Sequence, residues 1–133
     1  MDMIISINNN EKVFILPVCP LPEITDSVTN EVVDTINGPI NLFGNRNLTA
    51  INFESIFLNK EYEWIRSGAS ADAQSYINFF NEIMDKKIPA RLVWIDENGT
   101  KLNIAVTLET FNYSEDIAGD VQYTVDFLEY RFL

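Results

Sequence analysis

Histidine is absent from the 133 residues, and cysteine occurs once, at Cys19. The first absence removes the commonest general base and the commonest transition-metal ligand. The second excludes an internal disulfide, and together they leave no cysteine zinc site and no Cys–His pair within one chain. Cys19 lies in Pro17-Val18-Cys19-Pro20, among apolar neighbours, the setting of a buried, inert thiol that packs as a small hydrophobe. Positive charge is also scarce: nine Lys and Arg stand against 20 Asp and Glu, a formal charge of −11. Phosphate binding needs clustered cations. The only adjacent basic pair, Lys86-Lys87, closes an expected helix, where it complements the negative end of the dipole. The charge pattern therefore argues against direct, sequence-specific nucleic-acid binding. The acidity reads as solubility or, more sharply, as a surface that repels nucleic acid. No apolar run reaches transmembrane length, so no membrane partner is expected. Met1-Asp2-Met3 has no basic segment of a signal peptide, and the chain is expected to be made and folded in a cytoplasm.

What the sequence does hold is apolar and aromatic: 47% of residues are hydrophobic and 12% aromatic, enough for a real core in one domain over 1–133. Met3–Ile7 and Lys12–Val18 flank Asn8-Asn9-Asn10 and read as a hairpin. Pro17, Pro20 and Pro22 then fix an extended backbone without ladder donors, so residues 1–23 are expected to comprise a hairpin and a Pro-rich arm. The arm either packs on its own domain or reaches a neighbour. Ile24–Ile36 has the β-branched density of strands, broken by Gly38-Pro39. Leu48–Leu58 is a further strand, with Ile51, Phe53 and Ser55 on one face; Lys60–Ser67 lacks periodicity and reads as a loop. Ala73, Tyr76, Ile77, Phe80, Ile83 and Met84 then form a stripe of helical period. That amphipathic helix is placed at about 70–87, capped by Ser70 or Asp72 and ended by Pro89. Arg91–Ile95, the turn Asp96-Glu97-Asn98-Gly99 and Lys101–Tyr113 form a hairpin, its Asn-Gly suited to positive φ. Val121–Leu133 closes the sheet after the polar loop Ser114–Asp120. The alternation slips between Phe127 and Leu128, which implies a bulge or a strand end buried on both faces. The expected class is mainly β with one helix (α+β). Its long strands imply a barrel or strongly curved sheet whose edges need covering.

Few side chains suggest chemistry. Asp96-Glu97, and Glu115-Asp116 with Asp120, are acidic clusters that calcium would favour only if several oxygens converged; exposed turns usually leave such groups solvated. No pair of carboxylates is placed across a cleft as a glycosidase requires. Ser and Thr nucleophiles have no histidine base. Gly38-Pro39-Ile40-Asn41-Leu42-Phe43-Gly44 fits neither a phosphate loop nor a dinucleotide fingerprint. Trp64 and Trp94 have faces that stack on sugars, though core packing is the preferred reading for Trp94. No catalytic, cofactor-binding or metal-binding residue is assigned, no cofactor is implied, and an enzyme is the weakest reading.

Several segments, taken in order, carry a family resemblance. They are Leu16-Pro17-Val18 with the prolines after it, Ile40-Asn41-Leu42-Phe43-Gly44-Asn45-Arg46-Asn47-Leu48, and Ile51-Asn52-Phe53-Glu54-Ser55-Ile56-Phe57-Leu58. Ile88-Pro89-Ala90-Arg91-Leu92-Val93, Leu108-Glu109-Thr110-Phe111-Asn112-Tyr113, Gly119-Asp120-Val121-Gln122-Tyr123-Thr124 and Leu128-Glu129-Tyr130-Arg131 complete the set. Together they resemble the N-terminal domain of LysM-bearing tail and baseplate proteins of contractile phages and PBSX-type prophages. The resemblance implies a tail-tube-like β-barrel or sandwich with a flanking helix, and sheets joined between subunits. It also implies a structural component at the baseplate or hub end of a phage tail or tailocin. Its expected partners are copies or homologues in a six-fold ring and the tail-tube, hub and baseplate-wedge proteins. It would reside in the virion or particle after assembly in the bacterial cytoplasm. The chain stops at Leu133 without a LysM segment, so cell-wall binding is not carried over. The alternatives are the tube protein itself and a small ligand- or peptide-binding β module.

Overall fold

The computed structural model describes residues 2–7, 11–59 and 72–131. Nine strands and one helix are found among them: β1 (Asp2–Ile7), β2 (Lys12–Ile15), β3 (Glu23–Thr25), β4 (Glu31–Thr35), β5 (Gly38–Leu42), β6 (Ala50–Phe57), α1 (Ala73–Lys86), β7 (Ala90–Asp96), β8 (Gly99–Glu115) and β9 (Val121–Glu129). The class is mainly β with a single helix, α+β, as the patterning implied. Seven strands form one antiparallel sheet in the order β2-β1-β7-β8-β9-β6-β3, and β4 and β5 form a separate two-stranded ribbon.

The order contains a strong constraint. Strands β2 and β3 are consecutive in the chain yet lie at opposite edges of the sheet, joined by residues 16–22. Seven flat strands would set those edges about 29 Å apart, which is about the full stretch of such a linker. This linker bends at Pro17-Val18 and buries Leu16, Pro17 and Pro20, so it cannot span a flat sheet. The sheet must roll, and one core cluster accordingly joins Met3 and Ile5 of β1 to Phe53, Val125 and Phe127 near the other edge. The rolled sheet stays open between β2 and β3. The Pro-rich arm packs on its own chain. Leu16 N–H donates to Met3 O (3.0 Å), and Ser55 Oγ donates to Val18 O (3.1 Å).

Helix α1 packs over the inner face. Asp72 caps it, its carboxylate accepting from Gln74 N–H at 3.1 Å, which satisfies one of the orphan amides of the first turn. Lys87 ends it in the left-handed conformation (φ 55°), two residues before Pro89. The alternative cap, Ser70, and the loop expected at Lys60–Ser67 lie outside the described residues, as do Asn8-Asn9-Asn10. The buried face is Ala73, Tyr76, Ile77, Phe79, Phe80 and Ile83. Met84, placed in the stripe from its spacing, is instead 40% exposed, and Phe79 takes its place because Phe14 of β2 meets it at 4.3 Å between ring centroids. Phe57 is the hub of the contact. Its ring stacks on Tyr123 of the sheet at 3.9 Å and on Tyr76 of the helix at 4.9 Å. Tyr76 also donates its hydroxyl to Ile15 O at 2.6 Å, and Lys12 of β2 reaches Glu82 of α1 at 2.6 Å.

Ile24–Ile36 resolves into strands, as its β-branched density implied: β3 ends at Thr25 and β4 starts at Glu31, with the bridge Val28↔Arg46 between. Other expectations change. Gly38-Pro39 does not end the extended structure but starts β5. Gly38 takes φ 105° as the residue after a two-residue turn at Ile36-Asn37, and Pro39 is tolerated because a two-stranded ribbon leaves one side of each strand unpaired. At Phe127-Leu128 strand β9 runs unbroken against β6 with Leu128 half-buried, and the irregularity lies on the partner strand, where Glu109 is an extra residue in β8 between Leu108↔Phe127 and Thr110↔Asp126. A second irregularity falls at Trp94/Ile95, opposite Leu102 and Thr100. In the β7–β8 turn the positive φ (114°) is on Gly99, while Asn98 keeps a negative one.

Truncating the aromatic hub tests this packing. Phe57→Ala is expected to cost about 3–5 kcal/mol, read as a lower denaturation midpoint at unchanged slope. Phe80→Asp or Tyr76→Asp should leave no folded protein, whereas Met84→Asp should melt like the parent chain.

Candidate functional site

Strand pairing assigns every side chain to the inside or the outside of the rolled sheet, and the outside divides into two unlike halves. On β3, β6, β9 and the second half of β8, the outward residues are mostly polar. Glu23 lies opposite Asn52, Asn52 opposite Asp126, and Asp126 opposite Thr110. The next row is Glu54, Thr124 and Asn112, and the next is Ile56, Gln122 and Ser114. This face contains three carboxylates and no cation. It forms an open concavity of about 580 Å³ lined by Glu54, Asn112, Ser114, Gln122 and Thr124, among others. Such a surface has nothing to hold a phosphate chain.

On β2, β1 and β7, the outward residues are mostly aliphatic. Ile15 lies opposite Ile4 and Ile4 opposite Val93, with Val13 beside Ser6 and Ser6 beside Arg91 in the neighbouring row. Ile95 follows Val93 on the same side of β7. Ile4, Ile15, Val93 and Ile95 are all part-exposed, and none belongs to the core cluster.

The ribbon of β4 and β5 is the most exposed apolar element. Val32 is 68% exposed, Phe43 96% and Ile36 fully so. Opposite residues share a face, so Val33, Ile40, Leu42 and Glu31 lie on one side and Val32, Asn41, Asp34 and Pro39 on the other. Neither strand pairs with the main sheet. Its stem is nonetheless fastened firmly. Asn47 bonds Ser27 O through its N–H (2.8 Å), and its amide side chain donates to Thr29 Oγ1 (2.9 Å) and Ser27 Oγ (3.1 Å). Gly44 N–H donates to Asn30 Oδ1 at 2.9 Å, and a Cβ at Gly44 would collide with Thr29 O. Below these, Arg46 pairs with Asp26 (2.7 Å), Thr49 Oγ1 donates to Asp26 (2.7 Å), and Thr49 N–H donates to Glu129 (3.0 Å).

The electrostatics follow from these contacts. Donation from the Thr49 hydroxyl, with the Arg46 guanidinium beside it, holds the Asp26 carboxyl below the ordinary carboxylate range. Donation from Thr49 N–H, helped by Arg131, does the same for Glu129, and Lys12 with Lys86 does so for Glu82. Burial pushes the Tyr123 phenol upward. The Ser55 hydroxyl beside it opposes that shift while donating its own proton to Val18 O.

The sequence-based candidates scatter. Asp96 accepts from Asn98 N–H (2.8 Å) and faces Lys101 (3.4 Å) in its turn. Asp120, expected among solvated acids, is only 4% exposed. Its carboxylate accepts from Asn59 N–H at 2.9 Å, its own N–H donates to Asp116 Oδ1 at 3.1 Å, and Asn59 Oδ1 in turn accepts from Ala73 N–H at 3.0 Å. The cluster thus locks the end of β6 to the start of α1. Among the described residues no three His, Cys, Asp or Glu side chains converge as metal ligands. Trp94 packs against the core, while Trp64 lies outside the described residues. Cys19 is only half-buried, its thiol 3.6 Å from Pro20 O. The glycine segment 38–44 is strand β5 and its exit, not a ligand loop. Sequence reasoning missed the ribbon; the alternation Val33, Ile40, Leu42 around Asn37-Gly38 was the available signal.

Neither a protein-family model nor a curated protein matches the sequence. Solved structures do match the fold. A chain of the virion of a native gene transfer agent particle superposes with TM-score 0.59 at 12% identity, covering 98% of this chain and 92% of that one. A chain from the tail of an empty gene transfer agent particle, determined with C6 symmetry, gives 0.55 at 13% identity over 98% and 92%. A chain of the sheath–tube complex of an extracellular contractile injection system (PVC) in its extended state gives 0.51 at 12% identity over 98% and 86%. The architecture is therefore the one found in tail components of such particles.

Acid should weaken this structure in a defined window. Asp26, Glu82 and Glu129 titrate lower folded than unfolded, so the unfolded chain binds more protons as pH falls and stability rises with pH there. Their contribution is complete above the ordinary glutamate value of 4.5 and is lost as pH drops through their folded values. Melting temperature should be level near neutrality and fall between about pH 5 and 3, and Glu129→Gln, which keeps the acceptor, should make that fall shallower.

Proposed function

We propose that the chain is a non-enzymatic structural subunit of a phage-tail-like particle, assembled from copies or homologues arranged in a six-fold ring. One observation carries the reading: the chain builds a stiff apolar ribbon that finds no partner in its own sheet. Such an element is stabilised when a neighbour covers it, and head-to-tail contacts of that kind generate closed rings. The likeness to tail chains, one from a C6 assembly, supports the same reading. The polar outer face of β3, β6, β9 and β8 is the candidate channel wall. Its carboxylates and neutral amides would let a polyanion pass without adhering.

Within the particle, the resemblance in sequence favours the baseplate or hub end, in contact with tube, hub and wedge proteins of a virion or tailocin. The likeness to a helical tail and a sheath–tube complex favours a second reading, the tube subunit itself. A lipid- or peptide-binding module receives less support, because the rolled sheet is filled by the Phe57 aromatic cluster and the outer concavity is lined mainly by polar groups.

Purified protein at high concentration is expected to form rings or stacked rings in electron micrographs. The double variant Ile40→Asp/Leu42→Asp, both at exposed positions of that side, should melt within about 0.5 kcal/mol of the parent, as exposed sites do, yet form no rings. Rings of that variant, or a parent chain monomeric at every concentration, would refute the proposal. Glu54→Lys/Asp126→Lys rings should retain short single-stranded DNA that parent rings let pass.

A further inference from the structure

We infer that the apolar side of the β4–β5 ribbon docks on the aliphatic outer face of β1, β2 and β7 of a second copy, with Glu31 meeting Arg91. The inference rests on the assembly reading and names the two surfaces that meet. Both are apolar sheet faces of the same chain whose side chains lie outside the core cluster, and their charges sit in matching places. On the ribbon, Val33 and Ile40 lie opposite each other, and Glu31 is one row away, two residues before Val33 on β4. On the receiving face, Ile4 and Val93 lie opposite each other, and Arg91 is one row away, two residues before Val93 on β7. Laying one face on the other at the usual sheet spacing places Val33 and Ile40 over Ile4 and Val93 and brings the carboxylate to the guanidinium.

The charges are available for this. Among the described residues Glu31 has no ion-pair partner, and Arg91 Nη1 is hydrogen-bonded to the neutral amide of Asn103 at 3.3 Å. Most other described cations are already engaged within their own chain: Lys12 and Lys86 by Glu82, Arg46 by Asp26, Lys101 by Asp96 and Arg131 by Glu129. In a chain of charge −11, an Arg facing outward beside an aliphatic patch selects an acidic apolar partner, and the ribbon is one. The polar half of the sheet offers three carboxylates and would repel Glu31. Because ribbon and receiving face are different surfaces, the contact is head-to-tail and leaves one of each free for the next copy.

Cysteine pairs test the geometry. In a Cys19→Ser background, Ile40→Cys with Val93→Cys should yield, on mild oxidation, a ladder of disulfide-linked dimers and higher oligomers. Ile40→Cys with Glu54→Cys on the polar face should yield none. Charge reversal tests the pairing: Glu31→Arg and Arg91→Glu should each weaken association at least tenfold by light scattering, and the double reversal should bring it back within a few-fold of the parent. Restoration also excludes misfolding as the cause. Particles that form normally without a Val93 ladder, or reversals whose losses simply multiply, overturn the docking while leaving the assembly reading intact. A parent chain that never associates overturns both.

Discussion

Seven linker residues between the two outermost strands govern this molecule. Since residues 16–22 bend and bury Leu16, Pro17 and Pro20, the sheet has to curl until its margins approach. The curl creates an interior with space for large rings, which Phe57, Tyr123, Tyr76 and Phe80 fill. Helix α1 is held there by rings and also through the ends of the linker's own strand, with Tyr76 on Ile15 O and Glu82 on Lys12. Three prolines suit the linker because it has little ladder bonding to lose.

Curling also sorts the surface. Once the inner face is committed to the core, the period-two alternation of each strand decides what is left outside. The same rule produces a polar, cation-free half and an aliphatic half with Arg91 at its border. The two halves differ because β6 and β9 put mainly polar residues outward, whereas β1, β2 and β7 put Ile4, Val13, Ile15, Val93 and Ile95 there beside Ser6 and Arg91. Faces of that kind are usual where something covers them, and that is the physical content of the assembly role proposed for this chain.

Much of this was legible from the residues. The helix, a cap at Ser70 or Asp72 and its end before Pro89 follow from period and punctuation, and β6, β7, β8 and β9 from alternation. What escaped was set by tertiary contact. Phe79 is buried and Met84 is not because Phe14 reaches over one side of the helix. Asp120 is buried because Asn59, 61 residues away, offers it an N–H. The irregularity near Phe127-Leu128 lies on β8, at Glu109, which no reading of β9 alone reveals. Of the candidate surface, the polar side was implied by net charge, but the ribbon was hidden by a Gly-Pro pair that normally marks a break. Its stem depends on side-chain bonds from Asn47, Asn30 and Thr49 that have no periodic signature.

Those stem bonds matter beyond the fold. A floppy hairpin would have to give up backbone freedom on meeting its partner, at about 1–2 kcal/mol for each residue fixed, and an interface of modest size would be consumed by that loss. Here the Asn47 amide, the Arg46–Asp26 pair and the close approach of Gly44 to Thr29 have already frozen the base of the ribbon. Preorganisation of this kind lets a small contact suffice. In the proposed assembly, it would also write the angle at which successive copies join into each monomer before any of them meet.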